Sequence, residues 1–265
     1  MKKLPGSDLL FEAASLVLAI LLVHSFYVVV VWPRSESLLA AEAERMRSDP
    51  NYVQERSIWV ILRDYEQESE IVLMLWATAL IGRKAAGTGR ERRLLGRELV
   101  PIGEGMRILP EDAREYARQV QALPEPERGA LLPRSLLSAL HRFGATRSIQ
   151  DASASAHDLA AAENDRLDSE LSLLRYVAWA IPALGFIGTV RGIGDALAQA
   201  HRAMQGDLSG VTQSLGTAFN STLVALLLSL LLMFLLHHLQ SAQERLVRDT
   251  EDYLDEHLIQ HMRAS

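Results

Sequence analysis

Cysteine is absent from the 265 residues of the chain, which excludes disulfides and thiolate metal sites. Basic residues are not in excess either: 27 Lys and Arg against 33 Asp and Glu leave a formal net charge of -6. Since a nucleic-acid-binding surface is normally basic, nucleic acid is not an expected partner. The sequence contains no Ser-His-Asp arrangement, phosphate-binding loop or metal-ligand spacing, so it predicts no enzyme, no metal site and no resident cofactor.

Long apolar runs are what the chain does have. Its composition is 49% hydrophobic, with segments close to the ~20 residues that cross a bilayer. The first span is expected at about 8–32, ending near Trp32 and Pro33, and a shorter second span at about 68–84. Two further spans lie between Tyr176 and Gln240. The sequence predicts an all-α integral membrane protein.

Charge placement gives the topology. Lys2 and Lys3 precede the first span, and six Lys or Arg residues between 83 and 97 follow the second. By the positive-inside rule both places are cytoplasmic, which predicts four spans and cytoplasmic termini. The alternative has three spans and an external N-terminus.

This topology divides the chain into four parts. Residues 1–82 form an N-terminal membrane region with an external loop between its spans. Residues 83–171 form a helical cytoplasmic insertion, 172–240 a hairpin of the third and fourth spans, and 241–265 a cytoplasmic C-terminal helix.

Residues that start or stop helices, together with a heptad pattern, predict the helices of the insertion and of the C-terminus. A short helix from Pro133 is expected to stop at Gly144, and a long one to run from Ser148 into the third span. Leu239, Leu246 and Tyr253 recur every seven residues. The C-terminal helix is therefore expected to be amphipathic, packed either on a neighbouring molecule or on its own insertion.

Small residues mark the third span. Pro182 removes one backbone hydrogen bond and leaves the carbonyl of Ala178 free. One helical face carries Gly185, Gly188, Thr189 and Gly192. Such a face lets two helix backbones approach closely.

Hydroxyls mark the fourth span, where a stripe of polar and small residues reads Ser214, Thr217, Ser221 and Ala225, with Thr222 at its border. Taken singly, each fits a structural role, because Ser and Thr bond the carbonyl four residues earlier. Together the two spans predict a path that holds water.

Acids are missing from the centre of both spans, so a proton or sodium relay needs a carboxylate from another polypeptide. Arg191 and Asp195 lie near the outer end, one turn apart, and are expected to pair. Alternatively, Arg191 meets an acid on a partner or adjacent subunit at the outer mouth. His24 in the first span is expected to bond a neighbouring helix or a headgroup.

Two motifs carry a resemblance to a known family. Residues 182–193 read PALGFIGTVRGI, and residues 218–226 read AFNSTLVAL. They resemble the PxLGxxGTVxGI and ALxxTxxGL-like text of the MotA/TolQ/ExbB proton-channel family. The chain has Thr217 where TolQ- and ExbB-like members often have an acid, and Arg191 where an aromatic residue is common.

The resemblance implies a function. Family members form homo-oligomeric rings, typically pentamers, around two copies of a MotB-, TolR- or ExbD-like single-span partner in the bacterial inner membrane. Thr189 and Thr222 align with the threonines that flank the partner's membrane Asp, with Ser221 and Thr217 as expected supports. The implied role is a pore-ring subunit of a motor driven by translocated protons, or by sodium ions.

Two other functions stay open at this point. In a structural or scaffolding membrane protein the small residues would serve helix packing alone. A small-solute carrier would be expected to contain an inverted repeat, and the two halves of the chain do not resemble each other.

Overall fold

The computed structural model describes residues 5–48, 57–103 and 106–263. Within these ranges the chain is helical, with one isolated parallel bridge between Ile108 and Met262. Lys2 and Lys3, which support the predicted orientation, and residues 49–56 of the predicted external loop lie outside the described residues.

Eleven α-helices follow one another along the described ranges. The first four are α1 (Pro5–Phe26), α2 (Trp32–Ser48), α3 (Ile58–Ile61) and α4 (Tyr65–Leu95). The next four are α5 (Ala113–Gln121), α6 (Glu125–Arg128), α7 (Leu131–Thr146) and α8 (Ile149–Glu170). The last three are α9 (Ser172–Ala198), α10 (Ala200–Ala203) and α11 (Ser209–His257), followed by a 3₁₀ turn at Ile259–His261.

Four helical stretches in the described part of the chain are long and apolar enough to cross a membrane: Leu9–Met46, Tyr65–Leu95, Ile149–Ala198 and Ser209–His261. The chain is therefore an all-α membrane protein with four candidate spans, as the sequence predicts. The second span is not a short helix, since α4 has 31 residues.

The helix of the first span continues past Trp32 and Pro33, where the sequence places the end of the span. A π-helical segment, Tyr27–Val31, joins α1 to α2 without a break, and the N–H of Trp32 bonds the carbonyl of Tyr27. Pro33 follows directly, inside this continuous helix, and removes one backbone hydrogen bond without ending it. The helix thus extends to Ser48.

The described residues form two compact units, which we call the membrane unit (5–80 and 173–236) and the insertion unit (81–172 and 237–263). In the insertion unit, α5 and α8 pack on α7. Its apolar core includes Leu136, Leu140, Phe143 and Leu254, all at most 2% exposed.

Gly144 does not stop α7, which continues to Thr146 and ends where Arg147 adopts a left-handed conformation (φ 55°). A Cβ at Gly144 would lie 3.5 Å from both the Ala113 Cβ and the Pro110 carbonyl oxygen. These are ordinary van der Waals distances, so α7 packs on the start of α5 at a spacing that would also admit alanine.

The long helix expected from Ser148 is present with a single interruption. Ser148 caps α8 by accepting a hydrogen bond from the N–H of Asp151. A turn at Leu171 separates α8 from α9. Pro182 lies inside α9 without ending it.

The C-terminal part of α11 packs on its own insertion unit, which settles the two alternatives left open by the heptad pattern. Leu246, Tyr253 and Leu258 are each at most 6% exposed. The Tyr253 hydroxyl accepts a hydrogen bond from the Leu99 N–H and donates one to the Arg97 carbonyl, both at 3.1 Å.

Candidate functional site

Three glycines of α9 bring its backbone against α11. A Cβ built on Gly185 would lie 3.2 Å from the Thr222 Cα, and one on Gly188 would lie 2.7 Å from the Ser221 Cβ. One on Gly192 would lie 2.7 Å from the Ala218 Cβ. Any larger residue would push the helices apart, so these glycines fix the spacing of the hairpin.

The close approach places Thr189 and Thr222 in direct contact. Their hydroxyls form a hydrogen bond in which either can be the donor. Each hydroxyl is also in reach of the Gly185 carbonyl, Thr189 at 3.1 Å and Thr222 at 3.0 Å. Thr189 additionally reaches the Ala218 carbonyl at 3.1 Å. Both side chains are half-buried.

These contacts offer more acceptors than there are protons. The two hydroxyls carry one proton each, whereas two carbonyls and the two hydroxyl oxygens can all accept. The direction of the hydrogen bond between Thr189 and Thr222 can therefore reverse without leaving either threonine unpaired. Such a pair can offer a donor or an acceptor to a third group.

Ser221 and Thr217 continue the polar stripe on α11 in different environments. Ser221 is fully buried, and its Oγ has no hydrogen-bond partner among the described residues. Thr217, one turn earlier, is half-buried. Ser221 therefore lies inside the helix contact, facing Gly188.

Pro182 produces the free carbonyl that the sequence predicts, and α11 supplies a donor for it. The Ser229 hydroxyl donates a hydrogen bond of 3.2 Å to the carbonyl oxygen of Ala178. Such replacement of the missing N–H is how neighbouring helices accommodate proline in a membrane span.

Arg191 pairs with Glu66 rather than with Asp195, so the expected pairing within α9 is wrong. Its Nε and a terminal amine donate to the two oxygens of Glu66, both at 2.8 Å. Asp64 lies 3.9 Å away. Asp195 is exposed at the end of α9.

Burial raises the pKa of Asp64 above its usual range, although the nearby Arg63 and Arg191 act in the opposite direction. The side chain of Asp64 is only 14% exposed, which accounts for the sign of the change. The bidentate Glu66 carboxylate, in contrast, has both oxygens occupied by Arg191.

Sequence reasoning missed the acidic start of α4. Glu66, Glu68 and Glu70 alternate just before the apolar run, and this pattern is the signal that could have identified them. Glu68 accepts a hydrogen bond of 2.8 Å from His24, as expected for a histidine that bonds a neighbouring helix. Gln67 and Glu70 are fully buried.

The outer surfaces of α9 and α11 are apolar and uncovered in the single chain. Exposed residues include Phe186 (66%) and Val190 (56%) on α9, and Phe219 (64%) and Leu226 (55%) on α11. This surface fits lipid or another membrane helix. The hydroxyl pair of Thr189 and Thr222 therefore lies on a hairpin whose outer surface is largely apolar.

Comparison with known proteins agrees with the motifs. No significant match was found among curated proteins or among solved structures. Residues 131–252 match the model of the MotA/TolQ/ExbB proton channel family. The matched range contains the hydroxyl pair, the three packing glycines and the Pro182 contact. Residues 131–252 of this membrane protein thus form a MotA/TolQ/ExbB proton channel family domain.

Proposed function

We propose that the chain is a pore-ring subunit of a proton-driven motor in the bacterial inner membrane, and that it couples ion flow to mechanical work. The observation that carries this proposal is the contact between the Thr189 and Thr222 hydroxyls on a hairpin of the proton channel family. The described part of α9 and α11 contributes no carboxylate at this contact. A single-span partner with a membrane Asp, of the MotB, TolR or ExbD kind, would supply it.

The reversible hydroxyl pair suits a carboxyl group that changes protonation state. An ionised partner Asp needs hydrogen-bond donors, and a protonated one needs an acceptor for its own O–H. Because either threonine can donate to the other, the pair meets both needs without moving the backbone. Loading and release of a proton then require only hydroxyl rotation, which favours protons over sodium ions.

The uncovered apolar surface supports a ring. Phe186, Val190 and Phe219 would be buried against adjacent copies or the partner helix, and the remainder would face lipid. We propose a homo-oligomer, a pentamer around two partner copies, with both termini in the cytoplasm. The insertion unit would then also be cytoplasmic.

Replacement of Thr222 with Val tests the proposal. The variant loses one hydroxyl, but the Gly185 carbonyl keeps Thr189 as a donor, so folding and assembly should be retained. The complex with the single-span partner, reconstituted in vesicles, should lose most of its proton flux, measured with an internal pH-sensitive dye.

Thr212→Val is the matched control. Thr212 lies exposed on the same helix, and its hydroxyl donates to carbonyls of its own turn, those of Leu208 and Ser209. This variant should conduct like the wild type. Wild-type flux in Thr222→Val would remove the hydroxyl pair from the mechanism.

A scaffolding protein without ion conduction is the second candidate. The tight glycine contacts favour it, because helix packing alone accounts for them. It predicts that replacements at Gly188 abolish assembly, whereas replacement of both threonines by Val changes nothing measurable. Mass determination of the intact complex after co-purification distinguishes a ring with a partner from a lone scaffold.

A further inference from the structure

The membrane unit contains a carboxyl group that the hydroxyl pair does not use. Glu70 on α4 is fully buried, and neither of its carboxyl oxygens has a hydrogen-bond partner among the described residues. Gln67, one turn earlier on the same helix, is also fully buried, and neither its amide oxygen nor its amide nitrogen has a partner among the described residues. Two adjacent unpartnered polar groups at this depth indicate a binding site.

The surroundings of Glu70 are apolar. The next two residues, Ile71 and Val72, pack against the buried cluster of Val23, Tyr27 and Val31. Tyr27 belongs to the π-helical segment, is 1% exposed, and has a hydroxyl without a hydrogen-bond partner among the described residues. The π-helical segment thus places a phenol, and no charge, beside this part of α4.

The nearby charged groups are already paired. Glu66, one turn before Glu70, is bound bidentately by Arg191 of α9. Glu68 is bound by His24 of α1. Arg63 and Arg191 both approach Asp64. No described cation is therefore left to neutralise Glu70.

An ionised carboxylate buried without a cation or a donor costs far more free energy than its protonation. The neutral acid, in contrast, carries no charge, so its burial costs much less free energy. We propose that Glu70 is a buried proton-binding site that belongs to this chain itself. The ligand is a proton held on the Glu70 carboxyl at neutral pH.

This site is distinct from the hydroxyl pair, but it lies close in depth. Glu70 follows Glu66 by one turn, about 6 Å along α4. The Cγ of Glu66 would lie 3.2 Å from a Cβ on Gly188, the residue next to Thr189. The membrane unit would therefore hold a titratable group of its own beside the layer that receives the partner's Asp.

Infrared spectroscopy of the full-length chain in detergent, in sodium-free buffer at pH 7, tests the proposal. The C=O stretch of a protonated carboxylic acid is well separated from carboxylate bands. We expect the wild type to show such a band, Glu70→Gln to lose it, and Glu256→Gln, at an exposed position of α11, to keep it. Absence of the band from the wild type, or its persistence in Glu70→Gln, would overturn the proposal.

Two further arms make the result independent of folding defects and of other cations. Labelling glutamate with ¹³C should shift the band in the wild-type protein, without any substitution. Addition of sodium ions should leave the band unchanged, whereas its disappearance would show that a metal cation displaces the proton and would overturn the assignment. The experiment needs neither the partner nor ion flow. A negative result would therefore leave the proposed motor function intact, and failure of the motor function would leave the Glu70 site intact.

Discussion

Replacement of Gly188 with Ala examines whether glycine spacing determines the structure of the hairpin. The new Cβ would lie 2.7 Å from the Ser221 Cβ and 3.2 Å from the Glu66 Cγ. Carbon atoms normally pack at about 3.5–4.0 Å. Rotation of the Ser221 hydroxyl cannot relieve a clash with the Cβ, so the helices must separate by about 1 Å.

The expected cost follows from this separation. Overpacking of a tight contact costs about 1–3 kcal/mol, and the upper end applies because the Gly185 and Gly192 contacts would loosen as well. The better helix propensity of Ala returns up to about 1 kcal/mol. We therefore expect Gly188→Ala to lower the free energy of unfolding by about 2 kcal/mol.

Unfolding of the full-length chain in mixed detergent micelles, followed by tryptophan fluorescence, measures this difference. Gly216→Ala is the matched control, because a Cβ at Gly216 of α11 meets nothing within 4 Å. In the Gly188→Ala background, Ser221→Gly should restore much of the loss and Ser221→Ala should not. Equal stability of Gly188→Ala and Gly216→Ala, or equal rescue by the two Ser221 replacements, would refute the steric argument.

Three other replacements have defined outcomes in thermal unfolding. Ser221→Ala should be neutral or stabilising by up to about 1 kcal/mol, because it removes a buried hydroxyl without a partner among the described residues. Tyr253→Phe should destabilise by about 1–3 kcal/mol, because it leaves the Leu99 N–H and the Arg97 carbonyl unpaired. Asp64→Asn should stabilise the protein at pH 7. Since burial raises the folded pKa of Asp64 above its unfolded value near ~3.9, this advantage should shrink as the pH falls through the folded pKa towards about 4.

The sequence predicts the spans and the hairpin well, for a physical reason. Membrane-length apolar runs leave few alternatives to helices, and the spacing of the three glycines and Thr189 on α9 already places them on one face. The free Ala178 carbonyl also follows from the chemistry of proline. These features depend on local periodicity, which a sequence displays directly.

Contacts between distant segments could not be predicted in the same way. The i to i+4 spacing of Arg191 and Asp195 suggested a pair, but α4 brings Glu66 close enough to bind two guanidinium nitrogens of Arg191. The burial of Glu70 depends on how α1 and the π-helical segment pack on α4. The end of α7 also differs from the expectation, because the left-handed residue is Arg147 rather than Gly144.

The hydrogen bond from Ser229 to the Ala178 carbonyl couples positions 182 and 229, which are far apart in the chain. A serine or threonine at position 229 is useful because Pro182 leaves the Ala178 carbonyl oxygen without its backbone donor. The proline in turn destabilises the helix less because the hydroxyl at 229 replaces that donor. Natural variants should therefore exchange both together. A chain with an ordinary residue at 182 would have no need of a hydroxyl at 229, and apolar side chains should take its place.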